Sequence, residues 1–215
     1  MTSKKQKQIF LESEGDQWYK RNKEYLEKTD SEDDALLQQI LEVIDPKSEV
    51  KILEVGCGNG KRLHALKQKG FSVFGVDPSK AAVDAARASG VNASVGTADE
   101  LPFDVHSVDV LVFGFCLYLC DREDLFKIAS EAQRVLKKQG YIFILDFFSK
   151  TETENAYHHY PGLKSFKMDY SKLFSWHPDY TLVRQIIGSH QAFKPTDDPN
   201  EMVAISVLRR NSPLE

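Results

Sequence analysis

The sequence predicts an α/β fold in which a mostly parallel β-sheet is flanked by helices and carries an antiparallel strand at one edge. Three observations support this prediction. Short β-rich runs alternate with helical stretches after Pro46, which is typical of βαβ units. Two of these runs, 110–113 and 141–145, are apolar throughout, as expected for strands covered on both faces. Two more β-rich runs lie close together in the last 40 or so residues and are predicted to pair as a hairpin.

The elements of this sheet can be placed in order along the chain. Seven strands are predicted at residues 51–55, 72–76, 92–95, 108–114, 141–147, 180–187 and 202–208. Helical patterns lie between them at about 60–69, 79–89 and 122–137. The last two strands form the antiparallel edge of the sheet.

The chain divides into a helical N-terminal part and a main domain. Residues 1–45 are polar and helical, and we expect them to form a cap or lid, with Asp30 or Ser31 as the N-cap of the second helix and Pro46 as its end. Residues 46–215 form the main domain. The stretch at about 151–176 is aromatic and irregular, and it is predicted to be an insert on the substrate side.

Composition limits the classes of function. The 215 residues carry a formal net charge of −4, which lacks the positive field of a protein that binds nucleic-acid phosphates. No apolar run approaches the roughly 20 residues that cross a bilayer, and no hydrophobic segment follows the first lysines. We therefore expect a cytoplasmic protein without membrane insertion, either a monomer or a homodimer.

The three cysteines, Cys57, Cys116 and Cys120, form no CxxC pair and are predicted to be reduced, packed thiols. The histidines have no metal-ligand spacing, so no metal site is predicted.

A glycine-rich run, Glu54 to Gly60, lies where the first strand turns into the next helix. Glycines allow backbone amides to approach a ligand closely, and ligands of open parallel sheets bind at the carboxyl ends of strands. Lys61 stands where a dinucleotide fingerprint needs glycine or alanine, which disfavours a nicotinamide-dependent dehydrogenase. A Walker A loop is excluded because no Gly-Lys-Ser/Thr follows.

The run Leu53 to Gly60 resembles the first motif of class I S-adenosylmethionine-dependent methyltransferases, and the resemblance extends over roughly residues 50–147. It implies a Rossmann-like, seven-stranded sheet and S-adenosylmethionine as cofactor. In that family the acid at the position of Glu54 orients the methionine end. The cofactor loop here contains Gly56, Cys57, Gly58 and Gly60. Acidic groups suit this ligand, because it carries a sulfonium and an ammonium and no phosphate.

Later segments extend the resemblance. Asp77, followed by Pro78, resembles the acid that accepts both ribose hydroxyls, although it could also cap a helix. The segment 96–103 resembles the adenine-facing loop, represented here by Thr97, Ala98 and Asp99. Thr97 stands where the family often has aspartate, and Asp99 is a candidate replacement.

The exit of the fourth strand resembles the segment whose backbone lines the methyl-transfer site. Phe113 and Phe115 are its candidate cofactor contacts, and Tyr118 is a candidate substrate contact.

The acceptor is expected to be a small molecule, methylated on oxygen or nitrogen, for example a sugar or another metabolite. The Asn/Asp-Pro-Pro-aromatic motif of amino-directed DNA methylases is absent after strand four, which makes nucleic acid a less favoured partner. An RNA or protein methyltransferase, and a non-catalytic S-adenosylmethionine-binding protein of the same fold, are the alternatives.

Two groups of residues are candidates for contact with the acceptor. His158 and His159 follow the fifth strand and have the intrinsic pKa of a general base, although they could equally decorate an exposed loop. Tyr157 and Tyr160 flank them. Trp18, Tyr19 and Arg21 lie in the N-terminal part, where related enzymes fold a lid across the cofactor. The alternative is a helix packed on the sheet by Trp18 and Tyr19.

Overall fold

The computed structural model, which describes residues 5–28, 33–47 and 49–211, is built around a seven-stranded β-sheet. The strands of the described chain are β1 (Lys51–Val55), β2 (Ser72–Asp77), β3 (Asn92–Val95), β4 (Val108–Gly114), β5 (Leu136–Phe147), β6 (Thr153–Ala156), β7 (Lys164–Lys167), β8 (Tyr180–Ser189) and β9 (Met202–Arg210). The large sheet has the order β3-β2-β1-β4-β5-β9-β8, and β6 pairs with β7 in a separate hairpin. The predicted α/β fold is confirmed.

Strand directions also follow the prediction. The first five strands are parallel, whereas β9 is antiparallel to both β5 and β8. Since β9 is antiparallel to both of its neighbours, the outermost strand β8 runs in the same direction as β1 to β5. The turn after β8 therefore lies at the same end of the sheet as the carboxyl ends of the parallel strands.

Helices cover both faces of the sheet. They are α1 (Gln6–Ile9), α2 (Gly15–Lys28), α3 (Ala35–Val43), α4 (Lys61–Gln68), α5 (Lys80–Ala88), α6 (Leu125–Val135) and α7 (Lys172–Ser175). A π-helical turn, Phe10–Glu14, joins α1 to α2. Two 3-10 turns, Leu117–Leu119 and Arg122–Asp124, follow β4.

Side chains along β4 point alternately to the two faces of the sheet, and they contribute to two separate layers of the core. Val110 and Val112 join an apolar cluster with helices α3, α4 and α5. Leu111 and Phe113 point the other way, into a cluster with α6 and α7. A strand buried on both faces needs apolar residues at every position, which is why this run was recognisable in the sequence.

Two helix boundaries differ from the sequence prediction. Asp34 is the N-cap of α3, and its carboxylate accepts from the Leu37 amide at 3.0 Å. Asp30 and Ser31 lie outside the described residues. Helix α6 ends at Val135, because the chain joins β5 at Leu136 through a register shift in the pairing with β4. Gln139 has a φ of 65° within that irregularity.

The predicted insert contains regular structure. The β6–β7 hairpin lies beside the N-terminal helices, since the Tyr157 ring is 6.1 Å from that of Phe10. Helix α7 contributes the buried Phe174, which stacks on Phe113 with ring centroids 6.1 Å apart. Within the described residues, no helix is both long enough and apolar enough to cross a membrane.

Candidate functional site

A cavity of about 710 Å³ lies over the carboxyl ends of β1, β2 and β4. Its volume falls within the roughly 300–1,000 Å³ of small-molecule sites. The chain leaves β1 towards β2 on one side and reaches β4 on the other, so the cavity lies at the point where the strand order reverses. Open α/β sheets bind their ligands at this point.

The glycine loop after β1 forms the floor of the cavity. The amides of Gly56 and Cys57 both donate to the Val76 carbonyl, at 2.8 and 3.2 Å. Gly56 has a φ of 76°, and a Cβ there would be 2.7 Å from the Cβ of Cys116. This turn therefore requires glycine for both conformation and space.

Glu54 is held by Arg62 at one end of the cavity. Its Oε1 forms an ion pair with the Arg62 guanidinium, and Arg62 Nε donates to Asp34 Oδ2 at 2.7 Å. Glu54 Oε2 is buried and has no hydrogen-bond partner within the described chain. Burial raises the pKa of Glu54 to about 7, although Arg62 opposes the shift. One carboxylate oxygen is therefore available to a cationic donor.

Asp77 lies at the end of β2 and fixes two loops. Its Oδ2 accepts from the Gly58 amide at 2.9 Å, and its Oδ1 accepts from the Ser79 amide at 2.8 Å. Burial raises the pKa of Asp77 to about 6. Ser79, rather than Asp77, is the N-cap of α5. Each carboxylate oxygen keeps a second lone pair, which suits two neighbouring hydroxyls.

The loop after β3 contains Asp99, whose carboxylate is already engaged. Thr97 Oγ1 donates to Asp99 Oδ1 at 2.8 Å, and Lys7 and Lys127 both pair with Oδ2. Burial alone would raise the pKa of Asp99, but these hydrogen bonds lower it to about 2. Asp99 therefore anchors the N-terminal segment as well as lining the cavity.

The exit of β4 is held by a buried acid that the sequence did not reveal. Asp146 Oδ2 accepts from the amides of Leu117 and Tyr118, at 2.8 and 3.3 Å. Burial raises the pKa of Asp146 to about 7 in spite of these bonds. Phe115 adopts a φ of 50° and lines the cavity, whereas the Phe113 side chain is fully buried in the core.

Residues 5–28, which we call the N-terminal roof, cover the cavity. Asp16 Oδ1 accepts from Ser79 Oγ at 2.7 Å and from the Ala81 amide at 3.0 Å. A Cβ on Gly15 would be 2.7 Å from the Phe10 carbonyl and 3.1 Å from the Ser79 nitrogen. Absence of a side chain at position 15 thus lets the roof approach the loop after β2 closely.

Further polar contacts hold the two ends of the roof. Gln6 Nε2 donates to the Leu119 carbonyl at 2.9 Å, beside the exit of β4. Lys61 Nζ donates to the Leu26 and Glu27 carbonyls, at 3.3 and 2.9 Å. A lysine beside the last carbonyls of a helix satisfies acceptors that have no partner within the helix. The roof is therefore attached to the glycine loop through Lys61.

Two pairs of separate candidate residues from the sequence lie together in the structure. They are Trp18 with Tyr118, and Arg21 with Tyr157. Trp18 lines the cavity and lies close to Tyr118. Arg21 Nη2 lies 3.0 Å from Tyr157 Oη, which in turn donates to Glu14 at 2.9 Å. The β6–β7 hairpin and the roof are joined by these contacts.

Comparisons with known proteins support the interpretation of this cavity. A family model described as a methyltransferase domain matches residues 53–144. An uncharacterised methyltransferase of Mycobacterium tuberculosis (strain H37Rv) is 33% identical over 97 residues, which make up 44% of this chain and 39% of that protein. The match thus spans less than half of that relative's length.

Residues 53–144 are thus similar to methyltransferase domains. Solved structures share the fold described above. An S-adenosylmethionine-dependent methyltransferase of Methanosarcina mazei superposes with a TM-score of 0.65 at 17% identity, over 80% of this chain and 97% of the other. Geranyl diphosphate C-methyltransferase of Streptomyces coelicolor A3(2), solved with S-adenosylhomocysteine, gives 0.62 at 14% identity, over 83% and 79%.

The cavity fits S-adenosylmethionine, the cofactor that the sequence resemblance implies. The unpaired oxygen of Glu54 suits the ammonium group, and the carboxylate of Asp77 suits the ribose diol. Among the described residues, seven acidic side chains and three basic ones line the cavity. The acidic ones are Asp33, Asp34, Glu54, Asp77, Asp99, Asp121 and Asp124, and the basic ones are Lys7, Lys61 and Arg62. An acidic lining favours a positively charged ligand.

Several candidate residues from the sequence do not line this cavity. Gly60 is the N-cap of α4, where a Cβ would meet Ala86, and Tyr19 is buried elsewhere. His158, His159 and Tyr160 are exposed, and no residue from 151 to 176 is part of the described lining. The hairpin carries the two histidines outward, with the His159 ring 5.5 Å from that of Tyr157.

The histidine that does line the cavity is His190, in the turn after β8. Its ring lies 5.2 Å from the rings of both Phe115 and Phe147. No local sequence pattern marks His190 as a cavity residue, because its placement depends on β8 running parallel to β1 to β5. Local patterns also do not mark Arg62, Asp34 and Asp16, because each contacts a residue from another element of the fold.

The three cysteines are free thiols, as predicted. Burial raises the pKa of Cys120 to about 12 and that of Cys116 well above its usual value, so both stay protonated. A protonated thiol is a poor nucleophile and a poor metal ligand. Across the described ranges, no group of three or more His, Cys, Asp or Glu residues is placed to hold a metal ion.

Proposed function

We propose that this methyltransferase transfers the methyl group of S-adenosylmethionine to an oxygen or nitrogen atom of a small molecule. The observation that supports a small acceptor is the N-terminal roof. It is attached to the loops after β1, β2 and β4 by Lys61, Asp16 and Gln6. A polymer could reach the cofactor loop only if these contacts opened, whereas a small molecule fits beneath the roof.

The residues of the site act by binding and alignment. S-adenosylmethionine supplies a methyl group on a cationic sulfur, which makes the carbon open to attack by a lone pair. Glu54 and Asp77 hold the two ends of the cofactor, and the roof excludes water. Alignment of two reactants in one cavity accounts for a large part of catalysis in displacements of this kind. We further propose that residues 5–28 act as a lid over the cofactor.

Release of S-adenosylhomocysteine from labelled cofactor tests the proposal. The protein is incubated with sugar nucleotides, phenols, amines, RNA and a mixture of unstructured peptides. We expect product with at least one class of small molecule and none with RNA or peptide. Asp77→Ala is expected to lose the activity, and Asp84→Ala, which removes a surface pair with Lys80, is the matched control. Turnover with RNA or peptide alone would refute the proposal, and cofactor binding without any turnover would favour a non-catalytic role.

A further inference from the structure

The end of the cavity beyond β4 is bounded by aromatic rings. The Phe115 ring lines the cavity and meets the His190 ring edge-on at 5.2 Å. The Phe147 ring is outside the lining and supports His190 at the same distance and at an angle of 35°. Phe193, from the same turn as His190, also lines the cavity. Rings in such tilted arrangements receive a flat, apolar ligand by stacking and edge contacts.

The backbone of this turn is fixed by hydrogen bonds. The His190 amide donates to the Glu201 carbonyl at 2.7 Å, and the Phe193 amide donates to the Ser189 carbonyl at 2.9 Å. Gly188 permits the fold-back, since a Cβ there would be 2.9 Å from the Phe193 backbone. His190 is thus held at the cavity by backbone contacts and by two ring contacts, and not by its own nitrogens.

Those ring nitrogens are available to a ligand. In the part of the chain that the structure describes, neither of them forms a hydrogen bond with another residue. His190 is an exposed residue at the rim of the cavity. A histidine at a cavity whose nitrogens have no protein partner can accept a proton from a bound molecule.

Two charged groups act on His190 from neighbouring elements. Lys167 of β7 disfavours the charged imidazolium, whereas Glu201, just before β9, favours it. Lys167 Nζ is fixed by donating to the Asn200 carbonyl at 2.8 Å. Partial burial is the largest influence, and the net result is a lowered pKa of His190. The ring is therefore neutral at pH 7 and has a lone pair to accept a proton.

We propose that His190 is the general base of the reaction and that the acceptor is a phenol, a hydroxyl carried on a planar aromatic body. This inference rests on the proposed function and specifies its substrate class. The aromatic lining suits the ring of a phenol, and the single base can accept the proton of its hydroxyl group. A neutral hydroxyl needs proton removal as it reacts, whereas a neutral amine already carries a reactive lone pair.

The step is balanced without any further reactant. A lone pair of the phenol oxygen forms the new C–O bond to the methyl carbon, and the C–S bond breaks with its electron pair passing to sulfur. The O–H bond breaks, and the proton moves to the free ring nitrogen of His190. The resulting imidazolium loses that proton to solvent after the products leave.

Kinetics of two matched variants test the role of His190. Phenol, p-cresol and catechol are compared with cyclohexanol, and S-adenosylhomocysteine release is followed between pH 5 and 9. In His190→Gln we expect kcat to fall about 100-fold or more, the range for loss of a general base, with a much smaller change in KM. The decline of wild-type kcat at acidic pH should also disappear. His64→Gln, on α4 outside the cavity lining, should behave as wild type.

A binding measurement tests the site without turnover. The His190 ring signals are assigned by NMR as those missing in His190→Gln, and p-cresol is added to the protein saturated with S-adenosylhomocysteine. We expect the signals to shift on addition of p-cresol and not of cyclohexanol. Unshifted signals, or a His190→Gln kcat within about threefold of wild type with the same pH profile, would overturn the inference. Methylation of another small molecule in that case would leave the proposed function intact.

Discussion

Glu54 and Asp77 illustrate at the residue scale how burial prepares a carboxylate for a cationic ligand. Both are almost completely buried, and burial raises the pKa of Glu54 to about 7 and that of Asp77 to about 6. Removing a carboxylate from water is unfavourable until a positive group or a hydrogen-bond donor faces it. Arg62 already pairs with Glu54 and two amides already donate to Asp77, so a bound cofactor would add donors to the lone pairs that remain.

Glu54→Gln should weaken cofactor binding and flatten its dependence on pH. In the wild type, Glu54 loses its charge as pH falls through about 7, so we expect affinity for S-adenosylmethionine to decrease over that range. The variant lacks this titration and should bind roughly 10- to 100-fold more weakly at pH 8, from the loss of about 1.5–3 kcal/mol of charged hydrogen bonding. Calorimetry between pH 5.5 and 8.5 measures both effects.

Glu42→Gln is the matched control for that titration. Glu42 is an exposed acid on α3 that pairs with Arg184. It should show wild-type affinity and wild-type pH dependence. An unchanged pH slope in Glu54→Gln would contradict the assignment of Glu54.

The positions of residues next to strand ends could be predicted from the sequence. The positions of residues whose partners are distant in sequence could not. Glu54 and Asp77 were predictable because a strand followed by a glycine turn fixes their position. His190 and Asp146 carry no such local signature, since their partners are Phe115 and the Leu117 amide, tens of residues away. The role of a side chain is predictable only where the sequence fixes its surroundings.

At the scale of elements, the β-sheet followed the sequence closely. Strands β1, β3 and β4 have the predicted bounds, because apolar runs between turns leave little choice of register. Element β5 begins five residues early, at Leu136. Lys137 pairs with Asp109 of β4, so a polar contact extends the ladder beyond the apolar run.

Asp16→Ala should loosen the N-terminal roof. It removes the acceptor for both Ser79 Oγ and the Ala81 amide, and loss of such a cap destabilises by about 0.5–2 kcal/mol. We expect faster tryptic cleavage at Lys20 or Arg21 and about 2- to 30-fold weaker cofactor binding. Asp84→Ala changes an exposed acid on α5 and should do neither. Equal cleavage rates in the two variants would rule out this role of Asp16.

Trp18 should sense the cofactor. The chain has two tryptophans, and Trp176 is 64% exposed and is not part of the described cavity lining. In Trp176→Phe, saturation with S-adenosylmethionine is expected to change the emission of Trp18, which lines the cavity. In Trp18→Phe the remaining emission should stay constant. Flat emission from Trp18 would exclude close contact between the roof and the cofactor.

At the scale of the whole molecule, the site is assembled from distant parts of the chain. The glycine loop, the roof at residues 5–28 and the turn at 190–193 all line one cavity. The sequence predicted the sheet that brings their attachment points together. It did not predict that 190–193, rather than 151–176, would line the cavity, because that depends on how the last hairpin adds to the sheet.

Salt should discriminate between the two forms of the cofactor. Between 0.1 and 1 M ionic strength the Debye length falls from about 10 Å to about 3 Å, which weakens attraction by the acidic lining. We expect the affinity for S-adenosylmethionine to fall clearly more than that for S-adenosylhomocysteine, which lacks the sulfonium charge. Calorimetry with both ligands at several salt concentrations measures the difference. Parallel salt dependence would show that the acidic lining does not act on the sulfonium.

The acidic lining also bears on how a catalytic cycle ends. Seven acids and three bases among the described cavity residues attract a ligand with a net positive charge. In the proposed reaction, methyl transfer removes that charge from sulfur while the acidic side chains of the lining keep theirs. We therefore expect the same side chains to hold S-adenosylhomocysteine less tightly than S-adenosylmethionine, which favours release of the product.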